Sequence, residues 1–477
     1  MAFSIQSIEL FVREMPPDRM PFTVGSNLSA KKRRPRAVFI VRLQLSDGKS
    51  VVTGRSGDRP SFGWLDKRTV RTPDQKLTDL IALVQKARDI YLDEGSKFSS
   101  AFQLWYDCHE KITAFAKETD HESLSASYAS ALFERAVIDA VCRAGQVSFF
   151  HAVGNEVLGI RPGLVHEELQ DLDIATILPG RQRNRFAIRH TVGFADPLTD
   201  QDLEKRIGDG EPETLAEYIK TDGLRFFKVK ISGNPVEDIA RLEKIWQVVQ
   251  KQARQPAITL DGNEAYKDID EFDHFVSEME SQLTGLFQHT LFIEQPLTRA
   301  LTHDPGTEAT IRKISTRKPL VIDEADGFVD AFKQAFSIGY SGTSHKNCKG
   351  VFKSILNRAL TFRFLETTGR ESFLSGEDLS NMSIVPLHQD FDTLSVLDIS
   401  HCERNGHHYA YGMSHLTEVE KSEIEKHHQD LYRKENNEWF LNIQDGEVEC
   451  SSVFGPGFGG ATMPDWESLT PLDEWKG

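Results

Sequence analysis

From about residue 186 onward the chain repeats one pattern, a short apolar run followed by a polar stretch with helical spacing. The runs read FAIRHTVGF, LRFFKVKI, AITLD, LFIEQP, LVIDE, YSGTSHK and FLSGED. Short strands that alternate with helices predict βαβ units and a parallel sheet. Seven or eight such units over about 230 residues favour a closed barrel over an open sheet. We therefore predict an α/β fold with a barrel in this part of the chain.

The remaining residues divide into a part before the barrel and a part after it. Residues 1–55 have the pattern of strands, including the run AVFIVRLQL, and residues 75–150 have helical spacing. We therefore predict an α+β domain over residues 1–185 and a barrel domain over residues 186–415. Residues 416–477 are polar and contain the Gly-rich segment GPGFGG, so we expect a C-terminal surface extension.

Composition argues against several classes of protein. The 477 residues carry a formal net charge of -16, whereas a general nucleic-acid binder normally has a basic excess. No apolar stretch approaches the roughly 18–20 residues of a membrane span, and the first residues show no signal peptide. Five scattered cysteines without CxxC spacing indicate free thiols in a reducing compartment. We expect a cytoplasmic protein with neither nucleic acid nor membrane as a partner.

Three carboxylates end three successive apolar runs. Asp261, Glu294 and Asp323 lie about 30 residues apart, which is the length of one βα unit, so they predict three neighbouring strand ends on the active-site face of a barrel. A hard divalent cation would relieve their mutual repulsion, and an all-oxygen ligand set suits Mg²⁺ best. Asn263 and Glu324 lie close enough in sequence to support this site. Helix caps are the alternative interpretation of any one of these carboxylates.

Lysines flank the three carboxylates in the sequence. Lys228 and Lys230 are two apart on an apolar strand and therefore point to one side. Mutual repulsion is expected to lower both pKa values, and a lysine perturbed in this way can act as a general base. Lys346 ends the apolar run that follows Asp323, and it would face Lys230 across the metal. A position on the protein surface is the alternative for Lys346. Lys349 is expected to be structural or solvated.

In order and spacing these motifs resemble those of the enolase superfamily, and within it the muconate lactonizing enzyme subgroup. The motifs are KVK at 228–230, LDGN at 260–263, IEQP at 293–296, IDE at 322–324 and Lys346 before Lys349-Gly350. The resemblance implies a modified TIM (β/α)7β barrel and an N-terminal α+β capping domain. It also implies that a loop near residues 22–36 closes over the site. Barrels of this kind often form symmetric oligomers, so we expect a homo-oligomer.

The resemblance also implies roles for the candidate residues. Asp261, Glu294 and Asp323 would bind Mg²⁺. Lys230 would be the acid/base on one face of the substrate, with Lys228 tuning it, and Lys346 would be the acid/base or a cation on the other face. The chain departs from the subgroup in SHKNC at 344–348, where the subgroup has more apolar residues.

Other polar groups are weaker candidates. His345, beside Lys346, is kept as a supporting residue, and Glu377 or Asp378 would either contact the substrate or cap a helix. His407 and His408 lack further ligands at suitable spacing, so we expect surface or pocket residues rather than metal ligands. The basic run at 31–36 is expected to be a solvated loop, although it would also attract an anionic substrate.

Together these features predict an isomerase or lyase that acts on a small-molecule carboxylate. With Mg²⁺ it would remove the proton next to the carboxylate through a metal-stabilised enediolate, giving racemisation, epimerisation or cycloisomerisation. Dehydration of a sugar acid is the alternative within the same superfamily. A different metal-dependent barrel enzyme, such as an aldolase, and a non-catalytic metal-binding or structural protein with the same fold are the alternatives from other classes.

Overall fold

The first part of the chain forms an antiparallel sheet covered by helices in the computed structural model, which describes residues 2–21 and 36–476. The strands are β1 Ser4–Glu14, β2 Ala37–Ser46 and β3 Val51–Asp58, and the helices are α1 Phe62–Leu65, α2 Pro73–Glu94, α3 Ala101–Glu118, α4 Ser123–Ala144 and α5 Phe149–Gly154. The loop and basic run predicted near residues 22–36 fall almost entirely outside the described residues.

Local sequence explains the main elements of this domain. Helix α2 begins with a capping box between Thr72 and Gln75, followed by a proline in its first turn. Helix α4 is buried along nearly its whole length, because one side lies on β2 and β3 and another on α2 and α3. Its alanines allow this close packing, and Gly54 of β3 lies directly against the backbone of Ala136.

The second part forms a closed parallel barrel. Its strands are β4 Arg185–Val192, β5 Phe226–Lys230, β6 Ala257–Asp261, β7 Thr290–Glu294, β8 Leu320–Ile322, β9 Gly342–His345, β10 Phe373–Gly376 and β11 His401–Glu403. The connecting helices are α6 Leu215–Asp222, α7 Pro235–Gln252, α8 Ile269–Gln282, α9 Thr284–His289, α10 Arg299–Thr302, α11 Glu308–Ser315, α12 Ala331–Ile338, α13 Val351–Thr368 and α14 Val385–Val396. Each strand pairs in parallel with the next, and β11 pairs with β4. The predicted (β/α)7β barrel with an N-terminal α+β capping domain is confirmed.

The C-terminal segment differs from the surface extension that the sequence suggested. Its elements are α15 Gly406–Tyr409, α16 Glu418–His427, β12 Tyr432–Glu435, β13 Glu438–Leu441, β14 Glu447–Glu449 and β15 Thr470–Pro471. Strand β14 pairs with β4 of the barrel, and β15 pairs with β1 of the capping domain. Val448, Val453 and Phe458 are fully buried. The segment therefore joins the two domains through its strand pairing and its buried apolar side chains. None of the described helices is long and apolar enough to cross a membrane.

Candidate active site

Three acidic side chains lie at the carboxyl ends of neighbouring barrel strands. Asp261 ends β6 and Glu294 ends β7, and the two are partners in the strand ladder. Asp323 follows β8 directly. All three are almost completely buried. The structure thus brings together the three carboxylates that the sequence spacing predicted.

Lys228 lies at the centre of this acidic group. Its Nζ is 3.0 Å from Asp261 Oδ2, 2.8 Å from Glu294 Oε2, 2.6 Å from Glu377 Oε2 and 3.1 Å from Glu403 Oε2. Burial lowers the pKa of Lys228, but the four carboxylates outweigh burial and raise the pKa well above its usual value. The predicted lowering of this pKa by a neighbouring lysine is therefore wrong, because attraction to four carboxylates exceeds that repulsion.

Lys230 and Lys346 approach the site from opposite walls of the barrel. Lys230 Nζ is 2.6 Å from Asp261 Oδ2, and Lys346 Nζ is 2.6 Å from Asp323 Oδ2. Strands β5 and β9 are four strands apart in either direction around the eight-stranded ring, so the two lysines lie across the barrel from each other. Both line the same cavity. The surface position considered for Lys346 is excluded, since the residue is 4% exposed.

The chemistry of the acidic group fits a divalent cation. Neither buried oxygen of Glu294 accepts a well-aligned hydrogen bond from a described residue, although Oε2 has an ion-pair contact of 2.8 Å with Lys228 Nζ. Burial, together with Asp261 and Glu377, raises the pKa of Glu294 well above its usual value. The candidate ligand atoms of Asp261, Glu294 and Asp323 are all carboxylate oxygens, which is the set that Mg²⁺ prefers.

The spacing of the carboxylates shows what metal binding would require. Among the described residues, no three carboxylates place one oxygen atom each within 4.8 Å of one another. Three histidines outside this site do place one ring nitrogen each within that distance. Ammonium groups lie between the acidic side chains instead. Asp261, Glu294 and Asp323 would therefore hold the ion after small side-chain movements that exchange lysine contacts for metal contacts.

The predicted supporting residues Asn263 and Glu324 lie at the edge of the site. The Asn263 backbone NH donates to Asp261 Oδ1 at 2.9 Å, and the Asn263 side-chain amide donates to Glu324 Oε1 at 3.0 Å. Trp64 of α1 donates its indole NH to the same oxygen at 3.1 Å, and its ring centroid is 4.2 Å from Lys346 Nζ. Burial, followed by repulsion from Asp323, raises the pKa of Glu324 to about 7. The capping domain thus contacts the face of the barrel at which the strands end.

A cavity of about 440 Å³ lies between the capping domain and the barrel rim. The capping domain contributes cationic and aromatic side chains, and the barrel contributes lysines and polar groups. The residues that matter for the chemistry are Arg59, Phe62, Trp64, Lys230, Asn263, Lys346, Asp378 and Asn405. Arg59 is 6% exposed and forms no ion pair within 4.0 Å with any described residue. The volume and this unpaired guanidinium suit a small anionic ligand.

Sequence reasoning missed two residues at the base of the site, Glu403 and Arg189. Glu403 ends the three-residue strand β11, which has no apolar run to mark it, and it accepts a hydrogen bond from Thr191 at 2.7 Å. Arg189 on β4 donates to Glu377 and to the Gly376 carbonyl. Alternation within FAIRHTVGF was a signal for Arg189, because it places that residue on the inner face with Thr191.

Gln295 is a further residue that the sequence alone did not identify. Its side-chain oxygen accepts the backbone NH of Asp323 at 2.8 Å and that of Ala325 at 3.1 Å. Its own backbone is in the left-handed region, with φ of 34°, directly after Glu294. Strain at such a position persists where surrounding contacts fix it. Gln295 therefore holds the loops after β7 and β8 in register and positions two of the acidic residues.

Several weaker candidates lie elsewhere than predicted. His345 points away from the cavity, toward Ser354 of α13 at 2.7 Å, because it alternates with the inward-facing Ser344. Glu377 lies beneath the cavity as a partner of Lys228, whereas its neighbour Asp378 lines the cavity. Lys349 is buried, with its Nζ 3.3 Å from Asp323 Oδ1, which fits the structural role expected for it.

Comparison with known proteins shows the same fold in solved structures. A muconate lactonizing enzyme from Pseudomonas fluorescens, complexed with muconolactone, matches over 98% of both chains with a TM-score of 0.57 and 15% identity. A mandelate racemase/muconate lactonizing enzyme from Bordetella bronchiseptica matches over 98% of this chain and 99% of its own, with a TM-score of 0.60 and 13% identity. An isomerase from Streptomyces coelicolor matches over 97% of both chains, with a TM-score of 0.56 and 15% identity.

No protein-family model matches the chain, and no curated protein matches its sequence. The structural matches nevertheless cover almost the whole chain. The resemblance inferred from the motifs is therefore confirmed at the level of the fold: the chain has a capping domain and a barrel like those of the muconate lactonizing enzyme and mandelate racemase/muconate lactonizing enzyme structures.

Proposed function

We propose that this protein is an enzyme that removes the proton next to the carboxylate of a small molecule and thereby racemises, epimerises or cycloisomerises it. The observation that carries the proposal is the position of Lys230 and Lys346, which lie on opposite walls of one cavity with three acidic strand ends between them. A planar enediolate formed there would present one face to each lysine. Proton removal on one face and return on the other is racemisation or epimerisation.

The acidic group would supply the site for Mg²⁺. Asp261, Glu294 and Asp323 would hold the ion, which would supply stabilisation of the negative charge that develops on the substrate carboxylate when the neighbouring carbon loses its proton. Asn263 supports this arrangement by fixing Asp261 through its backbone NH. Lys228 remains an ammonium, because the pKa of its side chain is raised, and it balances the charge of Glu377 and Glu403.

Lys230 is assigned the base on one face. Its ammonium is paired with Asp261, and that pairing ends when the carboxylate is used for metal binding. After one of its protons is released to solvent, the neutral amine of Lys230 would take the proton from the substrate carbon and become an ammonium again. Lys346, whose position is fixed by the Trp64 ring and by Asp323, returns a proton to the opposite face or stabilises charge there.

The proposal is tested by α-proton exchange in D₂O. The protein is incubated with Mg²⁺ and a panel of carboxylates that includes acid sugars, amino-acid derivatives and dipeptides, and exchange is followed by proton NMR. We expect exchange for one chemical class and its loss in Asp323→Asn. Glu418→Gln, which alters a fully solvated side chain, is the matched control and should exchange at the wild-type rate. Exchange that persists in Asp323→Asn would contradict the assignment of the metal site.

Dehydration of a sugar acid is the second candidate, favoured by the hydrogen-bonding side chains in the cavity lining. Ser61, Asn263, Asp378 and Asn405 offer such groups to a polyol chain. The first step is the same, but a leaving hydroxyl makes a 2-keto acid. Assay of the product mixture for a new ketone distinguishes the two reactions, because a racemase or epimerase retains every hydroxyl group.

A further inference from the structure

A second group of metal-binding side chains lies outside the barrel wall. Arg189 and Thr191 of β4 face the barrel interior, so His190 between them faces outward. There it meets His407 and His408 on the short helix α15. One nitrogen from each of the three rings lies within 4.8 Å of the others. The sequence suggested surface or pocket positions for His407 and His408; the partner that it did not identify is His190, 217 residues earlier in the chain.

The spacing of the ring nitrogens matches that of a tetrahedral site. Zinc–nitrogen bonds of about 2.0–2.1 Å place two ligand nitrogens about 3.3 Å apart at the edge of a tetrahedron. His190 Nδ1 and His407 Nε2 are 3.4 Å apart. The ring nitrogen of His408 lies within 4.8 Å of the other two, so a movement of no more than about 1.5 Å would complete a trigonal face of the tetrahedron. A small cavity of about 10 Å³, lined by His190 and His408, leaves space beside these rings.

A buried carboxylate supports this histidine cluster. Asp196 Oδ2 is 3.5 Å from His408 Nε2, and Asp196 is itself held by the Gly193 backbone NH at 2.6 Å. Metal-bound histidines commonly use their second ring nitrogen to contact a carboxylate, which fixes the ring orientation.

The cluster lies where three parts of the fold meet. Helix α15 begins directly after Asn405, whose side chain donates to Glu403 Oε1 at 3.3 Å in the candidate active site. Tyr409 at the other end of α15 accepts the backbone NH of Arg19 from the capping domain at 2.7 Å, and Met20 lines the small cavity. An ion at this position would tie β4 to α15 and so fix the distance between the barrel rim and the N-terminal segment.

The geometry points to a structural transition-metal site formed by His190, His407 and His408, with Asp196 orienting His408 and Zn²⁺ as the ion that this ligand set suits. Imidazole donors favour zinc and its neighbours over magnesium, whereas the carboxylates of the barrel favour magnesium. The chain would therefore hold two ions of different chemistry. This inference does not depend on the proposed reaction.

The test measures metal content and ligand geometry in the full-length protein. The protein is produced with Zn²⁺ in the medium and dialysed against excess Mg²⁺, which competes for the acidic site, and zinc per chain is measured by mass spectrometry. Co²⁺ then replaces zinc, and its visible absorption reports a low-coordinate nitrogen site. We compare His407→Gln, Asp196→Asn and the control His109→Gln, which alters a buried histidine of α3 remote from both sites.

We expect one zinc per wild-type chain, an unchanged amount in His109→Gln and its loss in His407→Gln. Removal of a carboxylate that orients a metal-bound histidine typically weakens metal affinity about 10–100-fold, and this range is expected for Asp196→Asn. His407 is only partly buried, so its substitution should leave the protein folded, which circular dichroism confirms. Wild-type protein without zinc after dialysis would overturn the inference, as would zinc that survives in His407→Gln but is lost in Asp261→Asn.

Discussion

Replacing Lys228 with methionine leaves four buried carboxylates without the ammonium that they share. The Nζ atom lies within 3.1 Å of an oxygen of Asp261, Glu294, Glu377 and Glu403. Removing one partner of a buried ion pair costs about 3–5 kcal/mol, because the remaining charge has no compensation. We therefore expect the free energy of unfolding of Lys228→Met, without divalent ions, to fall by about this amount. Urea unfolding measures it.

The same substitution should strengthen binding of Mg²⁺. A unit charge about 4 Å from another contributes about 4 kcal/mol at an effective dielectric constant of 20, so loss of one ammonium beside the metal position favours the ion. We expect the Kd for Mg²⁺ to fall by at least about tenfold, a change of 1.4 kcal/mol. Isothermal titration measures this. Lys353→Met is the matched control, since Lys353 is equally buried but pairs with Asp326 instead.

Lys353→Met should lose stability and bind Mg²⁺ as the wild type does. The reasoning would be refuted if Lys228→Met bound Mg²⁺ no more tightly than Lys353→Met, because the ammonium and the ion would then not share one set of carboxylates.

Three further perturbations follow from single contacts. Arg59→Met should leave the stability of the protein unchanged or raised, because no described residue forms an ion pair with Arg59. The substitution should raise KM for an anionic substrate about tenfold through loss of a charge-assisted hydrogen bond. Unfolding and steady-state kinetics measure the two effects, and an unchanged KM would contradict the role of Arg59 in substrate binding. Burial raises the pKa of Glu134 to about 8 in the folded state, so the folded state binds the proton more tightly than the unfolded state does. The free energy of unfolding should therefore fall as the pH rises from about 4.5 toward 8, by up to about 1.4 kcal/mol per pH unit. In urea unfolding measured from pH 5 to pH 8, the free energy of unfolding of Glu134→Gln should lack this dependence on pH. If the variant and the wild type show the same pH dependence, groups other than Glu134 cause it. Gly54→Ala should lower the free energy of unfolding by about 1–3 kcal/mol, because the added Cβ collides with the Ala136 carbonyl oxygen. Gly63→Ala is the control, since its Cβ meets open space. Equal melting temperatures of the two variants would show that the sheet and α4 can move apart without cost.

The barrel and most of its acidic site could be predicted from sequence because strand periodicity and chemistry coincide there. Asp261 and Glu294 each end an apolar run, so one pattern located both the strand and its functional residue. Glu403 could not be found in this way, because β11 is three residues long and HCE has no apolar run. Its place in the site follows from closure of the barrel between β11 and β4, which is a tertiary event.

Electrostatic behaviour was also beyond local reasoning. From sequence, Lys228 has one close charged neighbour, Lys230, and repulsion should lower its pKa. In the fold, strands β6, β7, β10 and β11 bring four carboxylates to Lys228 and reverse the sign of the shift. The histidine cluster shows the same limit, since His190 and His407 become neighbours only when the barrel closes.

The most direct test of the central proposal compares Lys230→Ala with Lys346→Ala in D₂O, using each enantiomer of a carboxylate that the wild-type protein exchanges. Proton NMR then reports exchange of each enantiomer separately in the presence of Mg²⁺. The two-face arrangement predicts that each variant loses exchange of one enantiomer and that the two variants lose opposite ones. Exchange of both enantiomers by Lys230→Ala would contradict the assignment of Lys230 as a base and, with it, the proposed reaction.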